Sequence, residues 1–363
     1  MLYLCYSLFI FMIVMYSNAA VCKLLKVDID RYKYQSLTGL RGLCAVMVIV
    51  SHTFWRWGSD SSDYWSLDKF QGQFIKDVAA QMGPLAVSFF FILSGFLFFR
   101  FAQKPNKSFF HFFKDRFLRL YPAILMSILL IVVFVWLINK DGFLSRCSLQ
   151  FLKIFPTPFG PSYDEYICDY KIATLNSGVL WSLVWEIRLY LFIPALFLLL
   201  KYIKPMWVNI GIITTILALM VIKVIDHNEA SYMLLFACGF ISASIEKRIE
   251  LGAKSFIMGC ILFVLMFLTI KEPYYSPWYV VALFFIFYPI MKGFNQGNVF
   301  NNDKMQYLGM TSFSLYLNHG LTQFIAKTYF VSYGGIVWQI ASALMIGVAA
   351  PFLYKYVERK FYK

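Results

Sequence analysis

Residues 119–138 read RLYPAILMSILLIVVFVWLI, and no charge stands between Arg119 and Lys140. A run of that length matches the ~20 apolar residues a helix needs to cross ~30 Å of hydrocarbon. Working outward, similar runs recur near 42–57, 83–99, 179–200, 207–225, 231–245, 255–270, 276–291, 306–326 and 335–354, and one at 2–22 precedes them. A transmembrane β-barrel would instead alternate apolar and polar residues over segments of ~10. The sequence predicts an all-α, polytopic membrane helix bundle of about ten transmembrane helices, with a candidate extra helix at the N-terminus.

Composition agrees. Of 363 residues, 60% are hydrophobic and 14% charged, above the ~45–50% apolar share of soluble domains. A disordered chain and a secreted disulfide scaffold are excluded on the same ground. The expected division is a transmembrane domain over 35–363, preceded by 1–34, a hydrophobic extension or extra helix plus a basic linker. The 2–22 run lacks a basic n-region, so an extra helix or a dispensable extension is preferred to a signal cleaved at Asn18-Ala19-Ala20.

The net charge of +14 does not point to nucleic acid, because the basic residues come in short groups at the ends of apolar runs. Lys23, Lys26, Arg31 and Lys33 precede the 42–57 run, and Arg100, Lys104, Lys107, Lys114, Arg116 and Arg119 follow 83–99. Lys201 and Lys204, then Lys247, Arg248 and Lys254, then Lys292 and Lys304, and finally Lys355, Arg359, Lys360 and Lys363 fall on the same side of an alternating path. By the positive-inside rule that side is cytoplasmic, and it holds the C-terminus. The opposite loops, 58–82 and 139–178, are poorer in positive charge. Trp55, Trp57 and Trp65 read as an interfacial belt there, and Cys147 and Cys168 share the second loop as a candidate disulfide. The cysteines form no metal-ligand pattern, so no metal site is expected.

Ionisable groups at bilayer depth are costly and mark function. Glu186 is the acid well inside a span, while His52 and His319 lie in or at the end of spans; His111 and His227 fall in loops. Arg41 and His52, eleven residues apart, share a helix face about 16 Å from end to end. Such a pair suits a substrate with an anionic head and a long thin arm, acyl-coenzyme A being one; the plain alternative is that Arg41 snorkels to lipid phosphate. Arg116 and Arg119 share a face at i, i+3, a fork for phosphate or a topology signal. Ser182, Glu186 and Tyr190 stack at i, i+4, and His52 is the expected partner of Glu186. Helix–helix glue is the alternative for each of these polar residues.

Five segments together carry a resemblance. Leu37-Thr38-Gly39-Leu40-Arg41-Gly42 leads to Ser51-His52, and Phe89-Phe90-Phe91-Ile92-Leu93-Ser94-Gly95-Phe96-Leu97 follows. Next come Arg116-Phe117-Leu118-Arg119-Leu120-Tyr121-Pro122, Trp181-Ser182-Leu183 with Glu186 and Tyr190, and Phe313-Ser314-Leu315-Tyr316-Leu317-Asn318-His319. In this order they resemble the membrane-bound acyltransferase 3 family, bacterial O-acyltransferases of surface polysaccharides, from about residue 35 to the C-terminus. Thr38 stands where the family often has Asp, Asn318 where it often has Trp, and Glu358-Arg359-Lys360 where it has Glu-x-Pro. The chain resembles the standalone form, without the soluble esterase-like domain of many relatives.

The resemblance implies an O-acetyltransferase of the bacterial inner membrane, with acetyl-CoA as co-substrate and no tightly bound cofactor. The acceptor would be a hydroxyl of a surface polysaccharide or its lipid-linked precursor. The expected roles are Arg41, Arg116 and Arg119 on the CoA phosphates, His52 as base oriented by Glu186, Tyr190 as a further participant, and His319 and Ser182 near the acceptor. Ser94 and Gly95 are expected to serve close helix packing. A transporter or flippase for a lipid-linked saccharide is the alternative, since it would use the same buried charges as a pathway.

Overall fold

Each apolar run is helical over most of its length. The computed structural model describes residues 2–29, 34–58, 67, 70, 72–104, 109–138, 150–154, 166–246, 249–269, 276–294 and 298–361. The long helices of its first half are α1 (Leu2–Leu24), α2 (Gln35–Gly58), α3 (Gln73–Ala102) and α4 (Phe109–Ile138). A short hairpin, Tyr166–Ile167 against Tyr170–Lys171, and the brief α5 (Ile172–Asn176) lead into α6 (Trp181–Tyr202). Then come α7 (Pro205–Val221), α8 (His227–Ile245), α9 (Ala253–Thr269), α10 (Pro277–Met291), α11 (Asp303–Met310), α12 (Ser312–Phe330) and α13 (Gly335–Leu353). A π turn, Tyr354–Glu358, and a last turn, Arg359–Phe361, complete the described chain.

The all-α membrane bundle is therefore what the chain forms, and every expected span coincides with helix. One needs correcting: 306–326 is not continuous but two helices that meet at Thr311. There the backbone bends, and the Thr311 hydroxyl is turned back onto Tyr307 O at 2.9 Å. Local chemistry sets other ends, as where Asp226 caps α8 in a capping box with Glu229 and Pro205 opens α7.

Exposed and buried residues are arranged for an apolar solvent. Leu125, Leu129 and Trp136 on α4 and Ile257, Ile261, Val264 and Leu268 on α9 are exposed along one helix face each, which hydrocarbon tolerates and water does not. The interior is aromatic, with Phe91, Phe96, Phe98 and Phe99 of α3 at its centre. Small residues let backbones touch: a Cβ on Gly95 would lie 2.3 Å from Phe236 O, and one on Gly239 2.1 Å from Ile92 O, so α3 and α8 cross at contact. Gly42 and Gly309 do the same for α2 and α11. The second motif of the sequence is thus a packing motif at Gly95.

Some of the basic residues that alternation assigned to one side meet neighbouring helices. Glu246, closing α8, accepts from Arg100 and from the Tyr34 hydroxyl at 2.6 Å, while Lys292 donates to its carbonyl at 2.8 Å. Lys355 donates to Leu25 O at 2.6 Å, and Arg359 pairs with Asp28 at 3.7 Å. Helix α1 is built into the bundle against α11 and α13: Ile10, Val14 and Cys22 are fully buried, and Asn18 donates to Thr311 at 3.0 Å. Cys168 is disulfide-bonded; Cys147, its expected partner, lies outside the described residues, as do Trp65 and the Trp57 side chain. Trp55 packs on the core formed by α1, α2 and α13.

Candidate functional site

Helix α2 carries Arg41 at one end and His52 toward the other, and two separate groups of residues assemble around them. At the basic end, Arg41, Arg116 and Arg119 line one cleft together with Ser94, Leu97, Ser182, Glu186 and Tyr316. Its free volume is about 80 Å³, far below the ~300–1,000 Å³ of sites for drug-sized molecules. It suits a thin unbranched chain, not a sugar ring.

Arg116 lies over the rings of Phe98 at 4.9 Å and Phe112 at 5.4 Å, within reach of cation–π attraction to both. Glu186 is the carboxylate of the cleft wall, and it accepts from the Tyr190 hydroxyl one turn along α6. Tyr190 itself is set behind Glu186, packed against Phe98 at 5.2 Å and Phe112 at 6.0 Å. Its hydroxyl is committed to positioning that carboxylate. Glu358 is almost fully buried, accepts from Ser314, and stands within the field of Arg119 and Arg41. It brings the last helical segment to the same arginines.

The cleft ends at a hydroxyl pair. Tyr316 Oη donates to Val179 O at 2.9 Å and lies 2.8 Å from Ser182 Oγ. With the tyrosine proton on Val179 O, Ser182 is the donor of that second bond. One turn further along α12, His319 Nδ1 lies 2.8 Å from Tyr316 O, and its Nε2 lies 2.7 Å from His52 Nδ1. A carbonyl only accepts, so with both rings neutral His319 carries its proton on Nδ1 and its Nε2 is an acceptor. His52 must then donate from Nδ1, and its Nε2 is left as the ring's acceptor nitrogen. The two imidazoles are stacked 4.9 Å apart, with planes at 23°.

This end is locked by side chains that bridge helices. Gln323 donates to Ile49 O at 3.0 Å and to Thr53 at 2.9 Å, tying α12 to α2 on either side of His52. Arg56, one turn beyond His52 and fully buried, donates to Thr174 O at 2.8 Å and to Ser177 and Gly320 O at 2.9 Å. It joins α2, the α5–α6 connection and α12.

One expected partnership is therefore corrected: His52 meets His319, not Glu186. The reason is position along α6. Ser182 occupies the level of Tyr316, and Glu186 is one turn away from it toward the arginines, whereas His52 lies on the far side of Tyr316. Arg41, Arg116, Arg119, Ser182 and Glu186 are brought together as one lining, and His319 joins His52. Sequence reasoning passed over Arg56, Gln323, Tyr316 and Glu358. Arg56 carried a signal, a second charge on the His52 helix at i+4; Tyr316 stood inside a quoted motif. Among the described residues no group of His, Cys, Asp and Glu forms a metal site.

Residues 34–356 match a protein family described as an acyltransferase domain. No curated protein and no solved structure matches the chain.

Proposed function

The chain belongs to the acyltransferase 3 family, and from that premise we propose that this multi-pass membrane acyltransferase moves an acetyl group from acetyl-CoA to a sugar hydroxyl. The acceptor is a surface polysaccharide or its lipid-linked precursor, and the membrane is the bacterial inner membrane, with the basic end of the bundle and the C-terminus in the cytoplasm. The observation that carries the reading is the continuity of the site: a narrow cleft begins at three arginines, ends at Ser182 and Tyr316, and leads one helical turn later to a paired His52.

In this reading Arg41, Arg116 and Arg119 receive the phosphates of CoA, for which guanidinium forks are suited. The pantetheine arm lies along the cleft and presents the thioester near Ser182 and Tyr316. His52 Nε2 takes the proton of the acceptor hydroxyl as its oxygen attacks the thioester carbonyl. The imidazolium so formed keeps its Nδ1–H bond to His319, which Tyr316 O holds in the matching tautomer. The C–S bond then breaks, the CoA thiolate leaves, and the proton held by His52 passes to sulfur. Glu186, held by Tyr190, balances the charge of Arg116 beside it.

The test uses membrane vesicles bearing wild type, His52→Ala or Arg116→Ala, with acetyl-labelled CoA and native envelope glycan; host vesicles are the control. The expected outcome is transfer of label by wild type and a loss of about 10²–10⁴-fold in His52→Ala, the range of general-base catalysis. Transfer by His52→Ala at the wild-type rate, or no consumption of acetyl-CoA by wild type, overturns the proposal.

A further inference from the structure

Helix α6 presents different chemistry to its two sides. Trp185, Leu189 and Phe192 line an apolar groove against α7 and α8, while Ser182 and Glu186 face the narrow cleft. To that cleft α12 contributes Ser312 and Tyr316. Each of these pairs is four residues apart on its helix, about one turn or ~5.4 Å. Ser182 and Tyr316 meet at 2.8 Å, and His319, on the next turn of α12, leads away from the arginines to His52. Ser312 therefore lies one turn from Tyr316 in the opposite direction, at the level where Glu186 stands on α6.

The Ser312 hydroxyl has no use within the fold. Its side chain is 1% exposed, and its Oγ makes no hydrogen bond among the described residues. The neighbouring hydroxyls differ: Thr311 donates to Tyr307 O and Ser314 to Glu358. Leaving a buried hydroxyl unpaired costs about 1–3 kcal/mol, so the position calls for a ligand group that pairs with it. Glu186 also has capacity left. Its Oε1 takes the Tyr190 hydroxyl, and its Oε2 makes no hydrogen bond among the described residues. One level of the cleft thus offers a hydroxyl donor on α12 and a carboxylate acceptor on α6.

A donor and an acceptor on two walls of a narrow passage suit a secondary amide, whose C=O and N–H point to opposite sides of a flat trans unit. The donor of the proposed reaction carries one. In a pantetheine thioester, sulfur and two methylenes separate the thioester carbonyl carbon from the amide nitrogen, and four bonds of ~1.5 Å in zigzag span about 5 Å. That matches the one turn between the Ser182–Tyr316 level and the Ser312–Glu186 level. We propose that Ser312 Oγ donates to the carbonyl of this amide and that Glu186 accepts from its N–H. The pair sets the depth of the arm and so holds the thioester at Ser182 and Tyr316. The inference rests on the acyltransfer reading and deepens it, because it names the part of the donor that the cleft recognises.

The experiment uses membrane vesicles bearing the full chain, native envelope glycan and two donors: acetyl-CoA, and an acetyl-CoA analogue in which two methylenes replace the amide nearest sulfur. For wild type, the KM for the analogue should exceed that for acetyl-CoA about tenfold. Ser312→Ala should raise the KM for acetyl-CoA about tenfold with turnover little changed, since the contact is remote from the reacting carbonyl. With the analogue, Ser312→Ala should show no rise over wild type. The thermal midpoint of Ser312→Ala without donor should be no lower than that of wild type, because the hydroxyl has no hydrogen bond to lose. A wild-type KM for acetyl-CoA in Ser312→Ala, an equal rise with both donors, or a lowered midpoint overturns the proposal. Equal KM values for the two donors in wild type overturn it as well, a test that stands should the variant misfold. Wild-type vesicles that consume neither donor remove the acyltransfer reading and this inference with it, whereas consumption that ignores Ser312 removes this inference alone.

Discussion

The two ends of α2 are built on opposite plans. Around Arg41 the charged groups line an open cleft and are steadied by aromatic faces and single carboxylates, as Arg116 is by Phe98 and Phe112 and Glu186 by Tyr190. Around His52 the polar atoms are tied to backbone carbonyls across three helices, through Gln323, Arg56 and His319. The first plan suits a ligand that must arrive and leave, because charges in a cleft exchange one set of partners for another. The second suits a proton-transfer group whose orientation must not vary, because reorganisation at the moment of reaction raises the barrier. In the proposed reading, binding and chemistry are separated by about 16 Å along one helix.

That division predicts effects of different kinds and sizes. The largest should come from the locked end: His319→Ala removes the acceptor that selects the His52 tautomer, and turnover should fall about 10²-fold or more while the KM for acetyl-CoA stays near wild type. Steady-state kinetics over a range of acetyl-CoA concentrations checks this; a rise in KM with unchanged turnover would merge the two ends. Arg56→Ala should act on folding. It deletes three hydrogen bonds from a buried cation and costs about 3 kcal/mol, read as a lowered thermal midpoint in detergent. An unchanged midpoint would mean that the α2–α5–α12 junction is held elsewhere.

At the open end the effects should be smaller and salt-sensitive. Arg116→Ala should raise the KM for acetyl-CoA about tenfold, equal to about 1.4 kcal/mol, with turnover little changed, and the gap from wild type should narrow as ionic strength rises. The smallest effect belongs to a contact just outside the cleft lining. Asn18→Ala removes a buried amide that donates to Thr311 and accepts from Cys22 and should cost about 1 kcal/mol, visible in the thermal midpoint with transfer unaltered. If Asn18→Ala instead lowered transfer as strongly as Arg116→Ala, the bend at Thr311 would belong to the working site.

Particular residues show what could be read in advance. The helices followed from apolar run lengths, because a bilayer leaves a backbone few other ways to satisfy its polar groups. The shared face of Arg116 and Arg119, and that of Ser182 and Glu186, followed from their spacing, whereas their meeting in one cleft is a finding of the structure. The partner of His52 did not follow. Periodicity ranks faces within one helix and is silent on the relative height of two, and here a shift of one turn put Ser182 and not Glu186 opposite Tyr316. The break at Thr311 was equally hidden, since 306–326 keeps its apolar character straight through the bend.

By itself, the sequence determined the solvent this chain requires, the number and order of its long helices, and membership of the family through residues that recur in order. These are properties of segments, settled by transfer free energy and by local hydrogen bonding. Only the tertiary structure decided that His52 pairs with His319, that Arg56 joins three elements, and that α6 divides a polar cleft from an apolar groove. Such matters depend on the register between helices, which is set by backbone contact at Gly95, Gly239, Gly42 and Gly309 and by no single helix alone.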